Sequence, residues 1–332
     1  MGRFSPGEVR FAAHGIRLRV ASNWPPFLRL VSANYGAFPG GGDISESVDV
    51  RVTWERRPWF SGGHRPSAVG SGERMWGAGI VSDSNSVRFI SDRTTIEVVD
   101  GPSVSVRASY VLDRRARLRE LYRGSSFWEE CQRLMRLTVH LPVLHRLEVR
   151  GNSLLHAAGV ASPSGALVFA GLNGSGKSSL CFRLLGPFGY MSDNFVLWNG
   201  RDLVAFPEAL RIPRAAGEPL PPGTPVVFGK KVVPVGQDKV VVRARPRAIF
   251  ILTRGPKMRA NPLSPGETAR LISRVSDVTH EFPRHTYLGP IAMPEDSGAI
   301  IALAHAAPGY LLTMADLDET RAWILERFPP RE

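Results

Sequence analysis

The residues with the clearest chemical purpose form one short loop near the middle of the chain. Residues 171–178 have the sequence Gly-Leu-Asn-Gly-Ser-Gly-Lys-Ser, which fits the phosphate-binding pattern G-x-x-x-x-G-K-[ST]. In such a loop the glycines let backbone N–H groups turn toward phosphate oxygens, and the helix that follows adds the partial positive charge of its N-terminus. The pattern therefore predicts a binding site for a nucleoside triphosphate. Residues 171–178 are called the phosphate loop below.

Individual residues of the phosphate loop have separate roles in this prediction. The Lys177 ammonium reaches the β- and γ-phosphates, and the Ser178 hydroxyl is a ligand for Mg²⁺. The expected N–H donors lie between Gly174 and Ser178. The residues expected to contact the nucleotide are Gly171, Asn173, Gly174, Ser175, Gly176, Lys177, Ser178 and Ser179. ATP and Mg²⁺ are the expected ligands.

The segments on either side of the loop have the order that this chemistry requires. Residues 166–170 are a short apolar run that predicts a buried strand, and residues 178–185 predict the first turns of a helix. That helix is expected to end near Gly186-Pro187. A strand, a glycine-rich loop and a helix in this order are the structural context in which the motif binds phosphate.

A phosphate loop usually works with an acidic residue elsewhere in the fold. The best apolar strand after the loop, residues 248–252, ends in Thr253-Arg254 and carries no acid there. The nearby acid is Asp193, which follows Lys177 after space for one helix and one short strand. Those two elements would return Asp193 to the phosphates, where its carboxylate could accept the proton of an incoming hydroxyl.

Three segments together resemble a known family. Residues 155–161, with the sequence Leu-His-Ala-Ala-Gly-Val-Ala, then the phosphate loop, then Ser192-Asp193-Asn194 resemble the catalytic core of HPr kinase/phosphorylase and its relatives. That family shares a fold core with phosphoenolpyruvate carboxykinases. Its relatives include kinases of peptide natural-product clusters, such as those that phosphorylate a serine of lasso-peptide precursors. The resemblance extends over residues 145–260 in motif terms.

The resemblance implies specific roles. Lys177 and Ser178 match the phosphate lysine and the magnesium hydroxyl of the family. Asp193 matches the first acid of a paired Asp-Asp, which acts as general base and orients the incoming hydroxyl. His156 matches a histidine that lies beside this acid. The resemblance thus implies Asp193, His156 and Lys177 as catalytic residues and Ser178, Asp193 and Asn194 as metal ligands.

The chain also departs from the family pattern. Asn194 replaces the second Asp, which removes one charge from the metal site and favours one Mg²⁺ over two. Asn173 stands where the HPr enzymes often have Ser, and residues 208–211 (Glu-Ala-Leu-Arg) only loosely match the family's Glu-x-Arg-Gly signature. These departures argue against HPr itself as the substrate and against reverse phosphorolysis.

The sequence leaves two alternative roles for each of several further polar residues. Arg211 either pairs with phosphate or forms an ordinary surface ion pair, with Glu208 nearby. Arg284 and His285 either gate the substrate or have no catalytic role. A third group, which alternates along one predicted strand, forms either an exposed face or an anion site: Arg243, Arg245 and Arg247.

The elements around these residues predict two regions. The resemblance implies an α/β (α+β) fold with a P-loop core of HPr kinase and PEP carboxykinase type and a mixed sheet. A smaller β-rich N-terminal region precedes it, because residues 48–54 alternate apolar and polar side chains and residues 94–111 predict a hairpin at Asp100-Gly101. The expected division is residues 1–112, with a role in substrate recognition, and residues 113–332, the catalytic domain.

Local signals place several other elements of the second region. Residues 126–149 have helical spacing interrupted by Pro142, which predicts a kink or two short helices. Asn199-Gly200 predicts a hairpin turn. Residues 267–275 and 317–328 predict helices, the second one capped at Ala315-Asp316.

The composition excludes several classes of protein. The chain has 332 residues, 43% hydrophobic and 22% charged, and a net charge of +12. No run approaches the ~18 apolar residues of a membrane span, so no membrane association is expected. Two cysteines, Cys131 and Cys181, exclude a disulfide scaffold and fit a cytoplasmic location. The positive charge is spread along the chain. That charge is the only sequence feature that favours nucleic-acid binding, which is therefore not expected.

The leading hypothesis is therefore an ATP-dependent kinase that phosphorylates a hydroxyl, foremost a serine, of a peptide or small protein. A natural-product precursor peptide is one such acceptor. Two alternatives stay open: a small-molecule kinase with the same core, and an ATP-regulated binding module without transfer activity. A homo-oligomer also stays open, since the HPr enzymes form rings.

Overall fold

The computed structural model describes most of the chain. The described residues are 7–40, 43–56, 74–75, 80–82, 86–90, 94–112, 127–214, 219, 224–275 and 297–330. Arg284 and His285 lie outside them, and so does an arginine-rich segment at residues 114–123. No helix within the described ranges is long and apolar enough to cross a membrane.

The N-terminal region is built on one eight-stranded sheet with the order β1-β2-β3-β8-β7-β6-β5-β4. Its strands are β1 Gly7–Ala13, β2 Ile16–Ser22, β3 Glu46–Arg56, β4 Arg74–Met75, β5 Ile80–Ser82, β6 Ser86–Ile90, β7 Thr94–Val99 and β8 Ser103–Leu112. The predicted hairpin at Asp100-Gly101 is confirmed as β7–β8. Alternation holds across the sheet: Val48, Val50 and Val52 are buried, while the residues between them face outward.

A helix crosses between two of these strands, and the sequence analysis did not predict it. Helix α1, Pro25–Tyr35, joins the parallel strands β2 and β3 and buries Phe27, Leu30 and Val31 against the sheet. A proline at the helix start and apolar residues three and four apart were the available signals. A helix is the usual connection between adjacent parallel strands.

Two short helices follow the first sheet, as the interruption at Pro142 predicts. Helix α2 is Phe127–Met135 and helix α3 is Leu141–Val149, with a π-helical turn at Arg136–His140 between them. Pro142 is the second residue of α3, and α3 directly follows the π-helical turn; His140 has helical backbone angles (φ −64°, ψ −50°), so the helical path continues through the proline. Leu134 and Leu144 belong to the same buried cluster as Phe27 of α1.

The central sheet has six strands in the order β12-β10-β11-β19-β21-β20. Its strands are β10 Ala157–Ser162, β11 Gly165–Ala170, β12 Gly189–Ser192, β19 Pro246–Arg254, β20 Arg259–Leu263 and β21 Gly309–Met314. Strands β11, β19 and β21 are mutually parallel neighbours, whereas β10 and β20 run antiparallel to the strands they pair with. The sheet is therefore mixed.

Helices cover the central sheet on two faces. Helix α4 (Lys177–Leu184) and helix α7 (Leu317–Arg327) pack on the face that carries Phe250, while α5 (Pro265–Val275) and α6 (Ser297–Ala306) pack on the face of Ile249 and Ile251. The predicted helices at 267–275 and 317–328 are confirmed to within two residues. Alternate residues of β19 thus bury their side chains in two separate cores.

Two small sheets complete the described structure. Strands β9 Ser153–Leu155, β13 Val196–Trp198, β14 Leu203–Ala205 and β18 Arg243–Ala244 form one; β15 Leu210–Pro213, β16 Val226–Val227 and β17 Lys230–Val233 form the other. The Asn199-Gly200 hairpin is confirmed: the Asn199 side-chain oxygen accepts hydrogen bonds from the N–H groups of Arg201 and Asp202. The chain is a mixed α/β protein with several sheets.

Candidate phosphate-binding site

The topology of the central sheet gathers the predicted site residues at one edge. Strands β11, β12 and β19 run in the same direction, because β10 is antiparallel to both β11 and β12 and β19 is parallel to β11. The phosphate loop follows β11 and Asp193 follows β12, while His156 precedes the antiparallel β10. All three therefore lie at the edge where open α/β sheets bind ligands.

The phosphate loop joins β11 to α4, the strand–loop–helix order predicted from the sequence. Gly174 and Gly176 have φ angles of 81° and 104°, in the left-handed region that glycine adopts without strain. The N–H groups of Gly174, Gly176, Ser178 and Ser179 find no acceptor among the described residues. Backbone donors at the start of a helix form an anion-binding concavity.

Ser175 departs from the predicted set of inward N–H donors. Its N–H donates to the carbonyl of Leu172 at 3.1 Å. Its hydroxyl is buried, with no hydrogen-bond partner in the described part of the chain. A Cβ at Gly171 would lie 2.7 Å from this hydroxyl oxygen and 2.9 Å from the Leu252 carbonyl, so the loop packs too tightly there for any side chain.

Lys177 is 7% exposed and points back into the phosphate loop. Its ammonium donates to the carbonyl oxygens of Gly171 at 2.5 Å and Leu172 at 3.3 Å. A phosphate oxygen entering the loop would compete with these carbonyls for the same ammonium. Because the buried Lys177 ammonium has little access to water, its attraction to a phosphate oxygen is strong.

Asp193 is 3% exposed, and its two carboxylate oxygens differ. The Oδ2 atom accepts the backbone N–H of Arg211 at 3.0 Å. The Oδ1 atom is buried and meets no donor among the residues described. A buried acceptor without a partner is rare in proteins and suggests a missing ligand group.

Cys181 is a buried thiol on α4 that feels charges from both Asp193 and the phosphate loop. Burial raises the pKa of this thiol, Asp193 raises it further, and Lys177 lowers it. Both charges therefore act on one residue of α4. The predicted return of Asp193 through one helix and the short strand β12 is what the structure shows.

His156 and Asn194 contact each other. The His156 Nε2 atom lies 3.1 Å from the Asn194 side-chain oxygen, and both residues are buried. The Asn194 side-chain nitrogen has no partner in the described structure. His156 therefore engages the amide oxygen that the sequence analysis assigns to the metal.

Behind Asp193 lies a buried ion pair. The Arg211 guanidinium donates to Glu208 Oε1 at 3.0 Å and lies 3.7 Å from Asp193 Oδ2. His140, in the π-helical turn, lies 4.0 Å from the same Glu208 oxygen. The alternative of a surface ion pair for Arg211 is wrong, because Glu208 and Arg211 are both buried. Burial also lowers the pKa of His140, which keeps it neutral.

The predicted strand arginines have ordinary partners. Arg245 forms an ion pair with Asp202 at 3.2 Å. Arg247 donates to the Ser164 hydroxyl and to the Pro329 carbonyl, and its guanidinium lies over the Phe328 ring. These contacts favour an exposed structural face over an anion site.

The residues at the edge fit a magnesium ion only in part. No group of three or more His, Cys, Asp or Glu side chains positioned for a metal occurs among the described residues. Ser178, Asp193 and Asn194 supply hydroxyl, carboxylate and amide oxygens, which are hard ligands of the kind Mg²⁺ prefers. Mg²⁺ usually keeps several waters and binds through one or two protein groups plus substrate phosphates, so this small set suffices.

One cation at this edge did not emerge as functional from the sequence. Strand β19 ends in Thr253-Arg254 instead of an acid, and no sequence motif gives Arg254 a role. The structure places the Arg254 guanidinium beside Gly176 of the phosphate loop. The only sequence signal was a charged residue at the end of an apolar strand near a phosphate motif.

Comparisons with known proteins add little to this geometry. No family model matches the chain, and no curated protein matches it. Among solved structures, the HPr(Ser) kinase/phosphatase from Coxiella burnetii matches with 12% identity and a TM-score of 0.28, over 53% of this chain and 97% of that one. At this identity and TM-score the match supports neither an activity nor a substrate for this chain.

Proposed function

We propose that this protein is an ATP-dependent kinase that transfers the γ-phosphoryl group to a hydroxyl. One observation carries the proposal: open N–H donors and a buried lysine lie at the same sheet edge as a buried carboxylate oxygen without a partner. Phosphoryl transfer requires positioning, charge neutralisation and a carboxylate that acts as a base and accepts the hydroxyl proton. The phosphate loop and Asp193 supply these three requirements.

The mechanism assigns each residue one task. The N–H groups of the phosphate loop and the Lys177 ammonium hold the phosphate oxygens. Asp193 Oδ1 accepts the hydroxyl proton while the acceptor oxygen bonds to the γ-phosphorus. The bond to the β–γ bridging oxygen breaks, and ADP leaves. Arg211, through its backbone N–H on Oδ2, holds the carboxylate in place.

Magnesium fits this scheme as a bound cofactor. Ser178 and Asp193 would hold it, with the Asn194 amide oxygen shared with His156. When bound, Mg²⁺ neutralises charge on the β- and γ-phosphate oxygens. The fold type that the motifs suggest, a P-loop core like that of HPr kinases and PEP carboxykinases, is part of the same proposal.

The acceptor in this proposal is a serine of a peptide or small protein. The N-terminal sheet offers a surface for it: an open cavity of about 140 Å³ on the sheet's outer face, lined in part by Arg19, Asp49, Arg51 and Arg107. Arg51 and Arg107 stand directly opposite each other on β3 and β8. Like charges placed so are destabilising. Glu97 of β7 stands opposite Arg107 on its other side and offsets part of this repulsion, and an acidic acceptor segment would offset the rest.

One observation favours the second candidate, an ATP-regulated binding module. Asn194, which contacts His156, stands where the family pattern has a second acid. Asp193 is therefore the single carboxylate of the motif. A single carboxylate still suffices as a base, which is why transfer is preferred here.

The test uses γ-labelled ATP and Mg²⁺ with an extract of the source cells, divided into peptide and small-molecule fractions. The proposal expects label in the peptide fraction, its loss in Lys177→Ala, and a fall of about 10²-fold or more in Asp193→Asn. Asp238→Asn, an exposed aspartate, is the matched control and should transfer normally.

The other results each contradict a definite part of the proposal. Label only in the small-molecule fraction would overturn the peptide acceptor. Full activity of Asp193→Asn would remove Asp193 as the base. ATP binding by the wild type without label in either fraction would support the binding module instead.

A further inference from the structure

Arg254 stands where the central sheet meets the phosphate loop. It is the last residue of β19, the parallel neighbour of β11, and Ala170 pairs with Ile251 three residues earlier. A Cβ built on Gly176 would lie 3.0 Å from a terminal nitrogen of Arg254 and 3.5 Å from its Cζ. The guanidinium therefore lies against the backbone of the glycine that precedes Lys177.

The charge of Arg254 is not neutralised within the described structure. Arg183, Arg211 and Arg245 each lie within 4 Å of a carboxylate oxygen. No carboxylate among the described residues forms an ion pair with Arg254, which is exposed. The other atom close to that Gly176 Cβ position is the Met314 methyl carbon, at 2.9 Å, which carries no charge.

Two cations and several open N–H donors thus meet at one loop. The Lys177 ammonium binds the Gly171 carbonyl inside the loop, and the Arg254 guanidinium, at the end of β19, lies against Gly176 of the same loop. A guanidinium is planar and can donate two parallel hydrogen bonds to a phosphate group. Many phosphate-loop proteins carry an acid at the end of a distant strand to hold the metal, whereas β19 presents a cation.

We propose that Arg254 is a second phosphate-binding cation, which contacts the terminal phosphate and makes the site select a nucleoside triphosphate over the diphosphate. This inference rests on the proposed nucleotide site. Its physical reason is charge: a triphosphate brings one more ionised phosphate than a diphosphate, and Arg254 adds the positive charge that matches it. Because Asn194 in place of an acid favours one Mg²⁺ over two, Arg254 would supply positive charge that a second Mg²⁺ would otherwise bring to the phosphates.

The experiment measures the dissociation constants of MgATP and MgADP by calorimetry for wild type, Arg254→Ala and Arg254→Lys. Charged hydrogen bonds contribute about 1.5–3 kcal/mol, so Arg254→Ala should weaken MgATP binding about 10- to 150-fold and MgADP binding less than about 3-fold. Arg254→Lys should recover part of the loss, since it keeps the charge but not the planar geometry.

The matched control is Arg270→Ala. Arg270 is exposed on α5, a helix that packs on the sheet face opposite α4. The Arg270→Ala variant should bind MgATP and MgADP with the same dissociation constants as the wild type. If Arg254→Ala weakens MgATP and MgADP equally, or neither, the inference fails and Arg254 only supports the loop.

The same measurements separate this inference from the proposed function. A wild type that binds MgATP while Arg254→Ala keeps the wild-type preference for MgATP over MgADP overturns the inference alone. A wild type that binds neither nucleotide overturns both. A wild type without transfer activity leaves the ATP-to-ADP preference measurable, and loss of that preference in Arg254→Ala still supports the inference.

Discussion

At the scale of single residues, Asp193 is distinguished by the buried side chains behind it. Arg211 lies between Asp193 and Glu208, and its backbone and guanidinium face different partners. Glu208 in turn lies 4.0 Å from His140. The Arg211 guanidinium lies near the carboxylates of both Asp193 and Glu208, and this pairing allows the three side chains to be buried. Removal of one of them leaves a buried charge without an opposite charge beside it.

Arg211→Met should therefore destabilise the protein strongly. The Glu208 side chain is 1% exposed, and removal of one partner of a buried ion pair typically costs about 3–5 kcal/mol. The double variant Glu208→Gln/Arg211→Met should recover part of that loss, because the buried Glu208 charge is removed, while Asp193 keeps the backbone N–H of residue 211 on Oδ2. The free energy of unfolding in urea checks both variants.

Arg270→Met serves as the control for this measurement, since it removes an exposed arginine and should change stability little. A loss in Arg211→Met no larger than that of Arg270→Met would show that the Glu208–Arg211 pair contributes nothing net. The backbone N–H of residue 211 on Asp193 Oδ2 is retained in Arg211→Met, so this measurement tests the side-chain pair alone.

At the scale of elements, helix α4 is short and depends on α7. The Arg321 guanidinium of α7 donates to the Arg183 carbonyl at the end of α4, and Arg183 lies 3.6 Å from Asp318. Helix α7 begins with Asp316, whose carboxylate accepts the N–H groups of Asp318 and Glu319 at 2.8 and 2.9 Å. The cap predicted at Ala315-Asp316 is confirmed.

Asp316→Ala should lower the melting temperature at pH 7, by about 2–4 °C for the loss of a helix cap. Asp316→Asn should not, because an asparagine oxygen also caps. The N–H groups of Glu319 and Asp318 lower the pKa of Asp316 below its ordinary value of 3.8. The ionised cap therefore stabilises the fold above that value, and the gain disappears as the pH falls through the lowered pKa.

Melting curves from pH 7 to pH 2 for wild type and Asp316→Asn check this sign. The wild type should lose more stability than Asp316→Asn in the acid range, since only the wild type has a titrating cap. Parallel curves for the two proteins would contradict the capping role.

At the scale of the whole molecule, the N-terminal sheet shares one core with parts of the chain that follow it. A single buried cluster contains Val50 of β3, Leu144 of α3 and Phe206 after β14. The Asn34 side chain of α1 accepts the Ala209 N–H at 3.0 Å, two residues before Arg211. The arginines of the N-terminal sheet are thus held in a fixed position relative to Asp193.

The double variant Arg51→Glu/Arg107→Glu should weaken recognition of an acidic acceptor. We expect the KM for the peptide to rise by about 10-fold or more, since several kcal/mol can oppose like charges at an interface, while the KM for ATP stays within about 2-fold of the wild type. The control Arg10→Glu/Arg17→Glu alters two other arginines of the same outer face. An unchanged peptide KM in Arg51→Glu/Arg107→Glu would exclude this surface as the acceptor site.

Much of the site could be predicted from local sequence. The phosphate loop, the strand before it and the helix after it follow from glycine spacing and apolar runs over about 20 residues. The order of one helix and one short strand before Asp193 also follows from spacing, and it brings Asp193 to the same edge of the sheet as the loop. The hairpins at Asp100-Gly101 and Asn199-Gly200 follow from turn chemistry that acts within four residues.

Other features were decided only by tertiary structure. The contacts of Arg254 with Gly176, and of Arg51 with Arg107, join residues far apart in the chain, and strand order and register determine them. The pairing of Arg211 with Glu208 could be predicted from their spacing in the sequence. Its burial could not, because burial depends on the packing of β15, α1 and the π-helical turn against one another. Local patterns are set by backbone periodicity, whereas these contacts depend on which surfaces the folded chain brings together.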